Sequence, residues 1–151
     1  MSAMSLKQIS IFLENSSYRL LEVTSAFGDA GVNLKAMSLA GTSGFGVLRL
    51  LVSDLAKARK IAMERHWPAR VDQVVAARIP DTPGSLSRLL APLREQRIDV
   101  ENMYAFTGFS SREAVMIFGF KDPAKATEVL KANGTVLLGA SEFGALESEA
   151  E

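Results

Sequence analysis

The sequence has no cysteine, which rules out disulfides, thiolate metal sites and cysteine nucleophiles and suits a reducing compartment. It has one histidine, His66, with no second histidine to share a metal ion or complete a Ser-His-Asp set. A metal site would have to be assembled from carboxylates that lack the usual spacing. Seventeen basic side chains against seventeen acidic ones leave no net charge, so there is no overall field to draw in a polyanion. No apolar run approaches membrane-spanning length, and MSAMSLKQIS lacks the apolar core of a signal peptide. These absences predict a cytoplasmic protein that is not an enzyme, takes no cofactor and binds neither nucleic acid nor membrane.

What is present is material for a core, with 48% hydrophobic and 23% charged residues in 151. The stretch Ile79–Tyr104 organises the rest. Asp81-Thr82-Pro83-Gly84 places a capping hydroxyl before a proline suited to a first helical turn, so a helix is expected from Pro83 to about Gln96. Leu86, Leu89, Leu90 and Leu93 fall on one face of it. Pro92 lies inside that helix, where it removes a hydrogen bond and predicts a kink. Ile98-Asp99-Val100 then starts a strand running to Phe106.

The unit occurs twice. A shift of 66 residues lays Asn15 on Asp81, Leu20 on Leu86, Phe27 on Leu93, Asn33 on Asp99 and Met37 on Met103. A shift of 68 lays Val47 on Val115 and Asp54 on Asp122, which puts two extra residues in a loop of the second copy. Read in order, the first copy is a strand Lys7–Leu13, a helix ended by Gly31, strands Leu34–Leu39 and Phe45–Val52, a helix capped by Asp54, and a short strand near Arg70–Asp72. Gly41–Gly44 is a turn-rich loop. The second copy has strands Val74–Ile79, Val100–Phe106, Ala114–Phe120 and Val136–Leu138, with a second helix from Pro123 to about Ala132. Met37 and Met103 are assigned to the core and His66 to a helix end on the surface. The domains are then 1–73 and 74–140, followed by a frayed acidic tail, 141–151, with four glutamates. Copies of roughly 70 residues are marginal alone, so the halves are expected to pack as a side-by-side pseudo-dimer.

Strand, helix, strand, strand, helix, strand, together with Asp81-Thr82-Pro83-Gly84-Ser85-Leu86 and Gly31-Val32-Asn33-Leu34, resembles the ACT domain. The phrase KQISIFLEN and Ser43–Arg49 resemble the small stand-alone tandem ACT proteins of prokaryotes. The resemblance covers Lys7 to about Leu138. It implies an α+β fold of two ferredoxin-like βαββαβ repeats, with antiparallel sheets packed against helices. It also implies a regulatory role in which a free amino acid binds at the interface of paired domains.

Such a ligand has a carboxylate that needs donors and an ammonium that needs acceptors. The unpaired first N–H groups of a helix suit the carboxylate. The implied binding residues are the turn Asn15, Ser16 and Ser17 with Tyr18, Arg19 and Leu20, and in the second copy Asp81, Thr82 and Pro83 with Gly84, Ser85 and Leu86. At the second strand they are Asn33 with Leu34, and Asp99 with Val100. Asn15, Asp81, Asn33 and Asp99 would face the ammonium. The same four residues also serve as ordinary turn and strand-entry residues. The first copy replaces Pro-Gly by Ser17-Tyr18, so two sites, or one working and one degenerate, are both open. Tyr104, Phe106 and Phe109 either line a pocket or form an apolar strand and its exit. The alternative function is a protein interaction module with vestigial ligand loops. Exposed strand edges suit a homodimer, and the regulated partner is an enzyme or another regulator. An RNA-binding reading of the same architecture would need a basic face and displayed aromatics, for which only Phe118 and Phe120 have the period.

Overall fold

The structure, a computed structural model, describes residues 6–14, 16–106 and 112–143. These fall into two compact units, Lys7–Asp72 with 140–143, and Leu6 with Gln73–Gly139, here called the first and second unit. Each is an antiparallel sheet with two helices, built in the βαββαβ order of a ferredoxin-like repeat.

In the first unit β1 (Leu6–Glu14), β2 (Leu34–Gly41) and β3 (Phe45–Val52) pair in the order β2-β3-β1. The Phe12 N–H donates to the Pro68 carbonyl at 2.9 Å, which brings the start of β4 (Ala69–Pro80) beside β1. The short strand and the following strand read from the sequence are therefore one twelve-residue strand. No turn residue separates Asp72 from Val74, so nothing in the chain interrupts the extended backbone. In the second unit β5 (Val100–Phe106), β6 (Glu113–Phe120) and β7 (Val136–Leu138) give the order β5-β6-β4-β7. Both outer strands carry a bulge at equivalent places, between Leu34 and Ala36 and between Val100 and Asn102.

Helices α1 (Ser17–Asp29) and α2 (Leu55–Glu64) cover the first sheet, and α3 (Ser85–Glu95) and α4 (Pro123–Ala132) the second. Each unit has its own core. In the first, Ile9, Ile11 and Leu13 of β1 meet Val23 and Phe27 of α1 and Leu48, Leu50 and Val52 of β3. Val75, Ala77, Ile79, Leu89, Leu93 and Phe118 do the same in the second. Phe118 and Phe120 are stacked within that core and buried, so they are not displayed for a base.

All four helices stop by one device. Gly31, His66, Arg97 and Gly134 have φ of 80°, 61°, 59° and 79°. The next residue donates back across the end: Val32 to Phe27, Trp67 to Ala62, Ile98 to Leu93 and Thr135 to Leu130. His66 is thus an exposed helix end, as its sequence context predicts.

Three expectations are corrected. Met37 and Met103 are 54% and 46% exposed rather than core, because they sit on the outer strands β2 and β5, at the edges of the sheets. The helix expected from Pro83 starts at Ser85. Its cap position is Gly84 at φ 87°, and the Thr82 hydroxyl meets Ser85 Oγ at 2.9 Å instead of a backbone N–H. Of the supposed frayed tail, residues 141–143 belong to the 3-10 turn Ala140–Phe143, with Phe143 buried, because the aromatic ring has apolar surface to cover. Helix α3 runs on through Pro92 to Glu95.

Candidate functional site

The two units carry the same groove. In the first, Phe12, Leu13 and Glu14 of β1, Arg19, Glu22 and Val23 of α1, Phe45, and Arg65 to Pro68 enclose about 360 Å³. In the second, Arg78 to Pro80, Ser85, Arg88 and Leu89 of α3, Glu113, and Asn133 to Val136 enclose about 330 Å³. Every lining position of one maps onto a lining position of the other under the repeat's own shifts of 66 and 68. Each groove lies where the end of a unit's first strand and the start of its first helix meet the start of its third strand and the end of its second helix, so segments distant in sequence form it.

The chemistry at these shared positions differs. In the first groove Arg19 lies between two carboxylates, 3.6 Å from Glu14 and 2.8 Å from Glu22. The hydrogen bond and charge of Glu22 hold its guanidinium still more firmly protonated. Arg65 stacks over Trp67 at 5.6 Å. This groove satisfies its own charges against an aromatic wall. In the second, Glu22 is replaced by Arg88 and Glu14 by Pro80, leaving two arginines and one carboxylate. Arg88 donates to Ser85 Oγ at 3.3 Å, and Ser85 is itself only 6% exposed. Arg78 Nε lies 3.3 Å from Glu113. That contact has ion-pair distance without hydrogen-bond geometry, since the buried Nε has no hydrogen-bond partner.

The helix starts differ as well. In α1 the Ser16 hydroxyl accepts from the Arg19 N–H at 3.2 Å. In α2 and α4, Asp54 and Asp122 accept from Lys57 and Lys125, each at 3.1 Å. Helix α3 alone among the described helices has no side-chain cap. The orphan N–H groups of its first turn, at Leu86 and Ser87, are left to solvent or a ligand at the positive end of the helix dipole.

The expected binding residues do not converge within a unit. Ile79 pairs with Ala114 and Val100 with Phe120. Six residues of β6 therefore separate the turn at Asp81 from the strand entry at Asp99, about 20 Å at strand spacing. The first unit has the same separation, with Leu13 opposite Gly46 and Leu34 opposite Val52. Leu20, Leu34, Leu86 and Val100 pack on the cores, so only their backbone is available to a ligand. Asn33 is exchanged with Ser53: its N–H donates to the Ser53 hydroxyl at 2.8 Å and its carbonyl accepts from the Ser53 N–H. Asp99 borders a separate hollow of about 480 Å³ with Arg97, Glu101, Lys121, Asp122 and Lys125, where three cations balance three carboxylates. Tyr18 is exposed and does not line the first groove; Arg19 does. Asp81 and Pro83 stand exposed in the turn. Asn15 and Phe109 lie outside the described residues, and so do the side chains of Ser17 and Phe106.

Sequence reasoning missed Arg78, Arg88, Glu113 and Asn133. The repeat alignment held a signal for Arg88, since it sets Glu22 against an arginine, a change of sign at one position of an otherwise shared surface. Nothing local pointed to Asn133, which reaches the groove only because α4 ends beside β4.

Among the described residues no helix is long and apolar enough to cross a membrane. The family model for the ACT domain pair matches residues 4–143. The solved structure of protein BT0572 from Bacteroides thetaiotaomicron superposes with a TM-score of 0.88 at 38% sequence identity, over 95% of this chain and 99% of that one. The ligand-free regulatory subunit of aspartate kinase from Thermus thermophilus superposes with a TM-score of 0.63 at 14% identity, over 85% and 90%. Its Thermus flavus counterpart gives 0.57 at 15%, over the same shares; at such identities these two speak for the fold alone. Curated proteins give no match. Two ferredoxin-like repeats, the family model spanning both and the close likeness to BT0572 agree that the chain belongs to the ACT domain pair family.

Proposed function

We propose that the chain is a cytoplasmic regulatory protein that binds a free amino acid and passes its occupancy to an enzyme or regulator. The ligand's carboxylate sits on the start of α3, in the turn Asp81 to Leu86. The single observation that carries this reading is the missing side-chain cap of α3. A helix start beside a groove and bare of its own cap offers N–H donors that a carboxylate can take. Gly84 holds φ 87° without the strain a side chain would bear there and leaves room for the Arg88 guanidinium over the turn. Glu113, on the wall of that groove, supplies an acceptor for the ammonium. The first copy closes the same feature with Ser16, which favours one working site and one degenerate site. A ligand that also touches an entry such as Asn33 or Asp99 must take it from another domain, because a single unit keeps the two some 20 Å apart.

Thermal unfolding against each of the twenty amino acids at millimolar concentration tests this, since a ligand of the folded state raises the midpoint. A rise confined to one or a few chemically related amino acids is expected. No rise with any of them removes the reading.

The second reading is a docking module, favoured by Met37 and Leu39 standing exposed on β2, an outer strand with an unpaired edge. Its occupant is a second copy of the chain. Sedimentation velocity across a hundredfold range of concentration tests it, and a monomer throughout discards it.

A further inference from the structure

We infer that the groove of the second unit is built for an acidic amino acid, an inference that rests on the amino-acid reading above and narrows it. Its charged lining is Arg78, Arg88 and Glu113, two positive and one negative, or +1 in all. An acidic amino acid carries two carboxylates and one ammonium, or −1, the inverse set.

The placement of the three groups matches that division. Arg88 belongs with the helix start, because its Nη1 lies so close over the turn that a Cβ added at Gly84 would stand 2.9 Å away. A carboxylate on the α3 N–H groups therefore meets a guanidinium beside it. Arg78 lies on β4 at the other wall. Its Nε is buried at 3.3 Å from Glu113, so a second carboxylate there is drawn by the charge of the partly exposed guanidinium rather than by that nitrogen. Glu113, next to Arg78, faces the ammonium. The groove's volume of about 330 Å³ is at the small end for ligand sites and suits a ligand of amino-acid size.

The first groove is the internal comparison. At the position of Arg88 it has Glu22, already bonded to Arg19 at 2.8 Å, so that position repels an anion where the second groove attracts one. The duplicated fold thus holds one groove whose charges cancel from within and one whose charges call for a ligand of opposite sign.

The test is calorimetric titration of the full chain with glutamate, aspartate, glutamine and asparagine at matched ionic strength, repeated with Arg88→Gln and Arg78→Gln. Both variants keep a polar side chain, and circular dichroism with the ligand-free unfolding midpoint confirms that they fold. Glutamate or aspartate is expected to bind and their amides to bind tenfold more weakly or not at all. Each variant is expected to lose tenfold or more for the acidic ligand, and added salt to weaken binding in the parent chain. Tighter binding of a neutral or basic amino acid overturns the acidic assignment and leaves the amino-acid reading standing. Binding of glutamate that neither variant weakens overturns the groove assignment. Binding of no amino acid overturns both.

Discussion

The shared helix ends allow a test in which removing a glycine and introducing one at equivalent positions must act with opposite signs. Gly31 and His66 hold the same left-handed backbone, at φ 80° and 61°, and each is followed by a residue that bonds back across the helix end. A residue with a Cβ there bears about 1–2 kcal/mol of steric cost that glycine avoids, while glycine gives up roughly 0.5–1 kcal/mol through its looser unfolded chain. Gly31→Ala should therefore destabilise by about 1 kcal/mol. No clash adds to this, because a Cβ at Gly31 would have no heavy atom within 4 Å. His66→Gly should stabilise by about 0.5–1 kcal/mol, and Arg97→Gly at φ 59° by the same amount, since both side chains are exposed. Urea unfolding reads the change as a shift of midpoint at constant slope, and heating as about 2–4 °C per kcal/mol in a chain of this length. If His66→Gly destabilises as Gly31→Ala does, or if Gly31→Ala is silent, left-handed closure is not what ends these helices.

Asp54→Ala and Asp122→Ala should each lower stability by about 1 kcal/mol, with the asparagine variants nearly neutral, because the Oδ1 bonds to Lys57 and Lys125 N–H are neutral-compatible caps; chemical denaturation checks this. Gly119→Ala places a Cβ 2.6 Å from the Asn102 side-chain amide across β6 and β5 and should cost about 1–3 kcal/mol. Asn102→Ala in the same chain should recover much of it. A double-mutant cycle with no coupling would show that the two positions do not meet.

How far the sequence could be read depended on the range of the interactions. Asp54 reveals itself as a cap from a few neighbouring residues and caps as read, and Asp122, which the repeat sets against it, does the same. Gly31 likewise ends α1 as its place after an apolar face suggests. The phrase Thr82-Pro83-Gly84 misled because it fits a capped helix locally, whereas Gly84 takes the left-handed region and moves the helix start to Ser85. His66 and Arg97 do a glycine's work without being glycine, so nothing in their identity announced it. Met37 and Met103 looked like core because apolar residues on a strand usually are. Only the strand order shows that their strands are outermost, with one edge unpaired. The grooves were out of reach altogether, since Arg78, Arg88 and Asn133 are brought together by three elements whose meeting no local pattern encodes.

The measurement that bears most directly on the central claim is the amide correlation spectrum of isotopically labelled protein during titration with the amino acid that raises its unfolding midpoint. The account predicts that the largest shifts fall on the N–H groups of Gly84 to Ser87 at the uncapped start of α3, while Leu55 to Lys57 at the Asp54-capped start of α2 stay still. Shifts concentrated away from Gly84 to Ser87, with that turn unmoved, would contradict it.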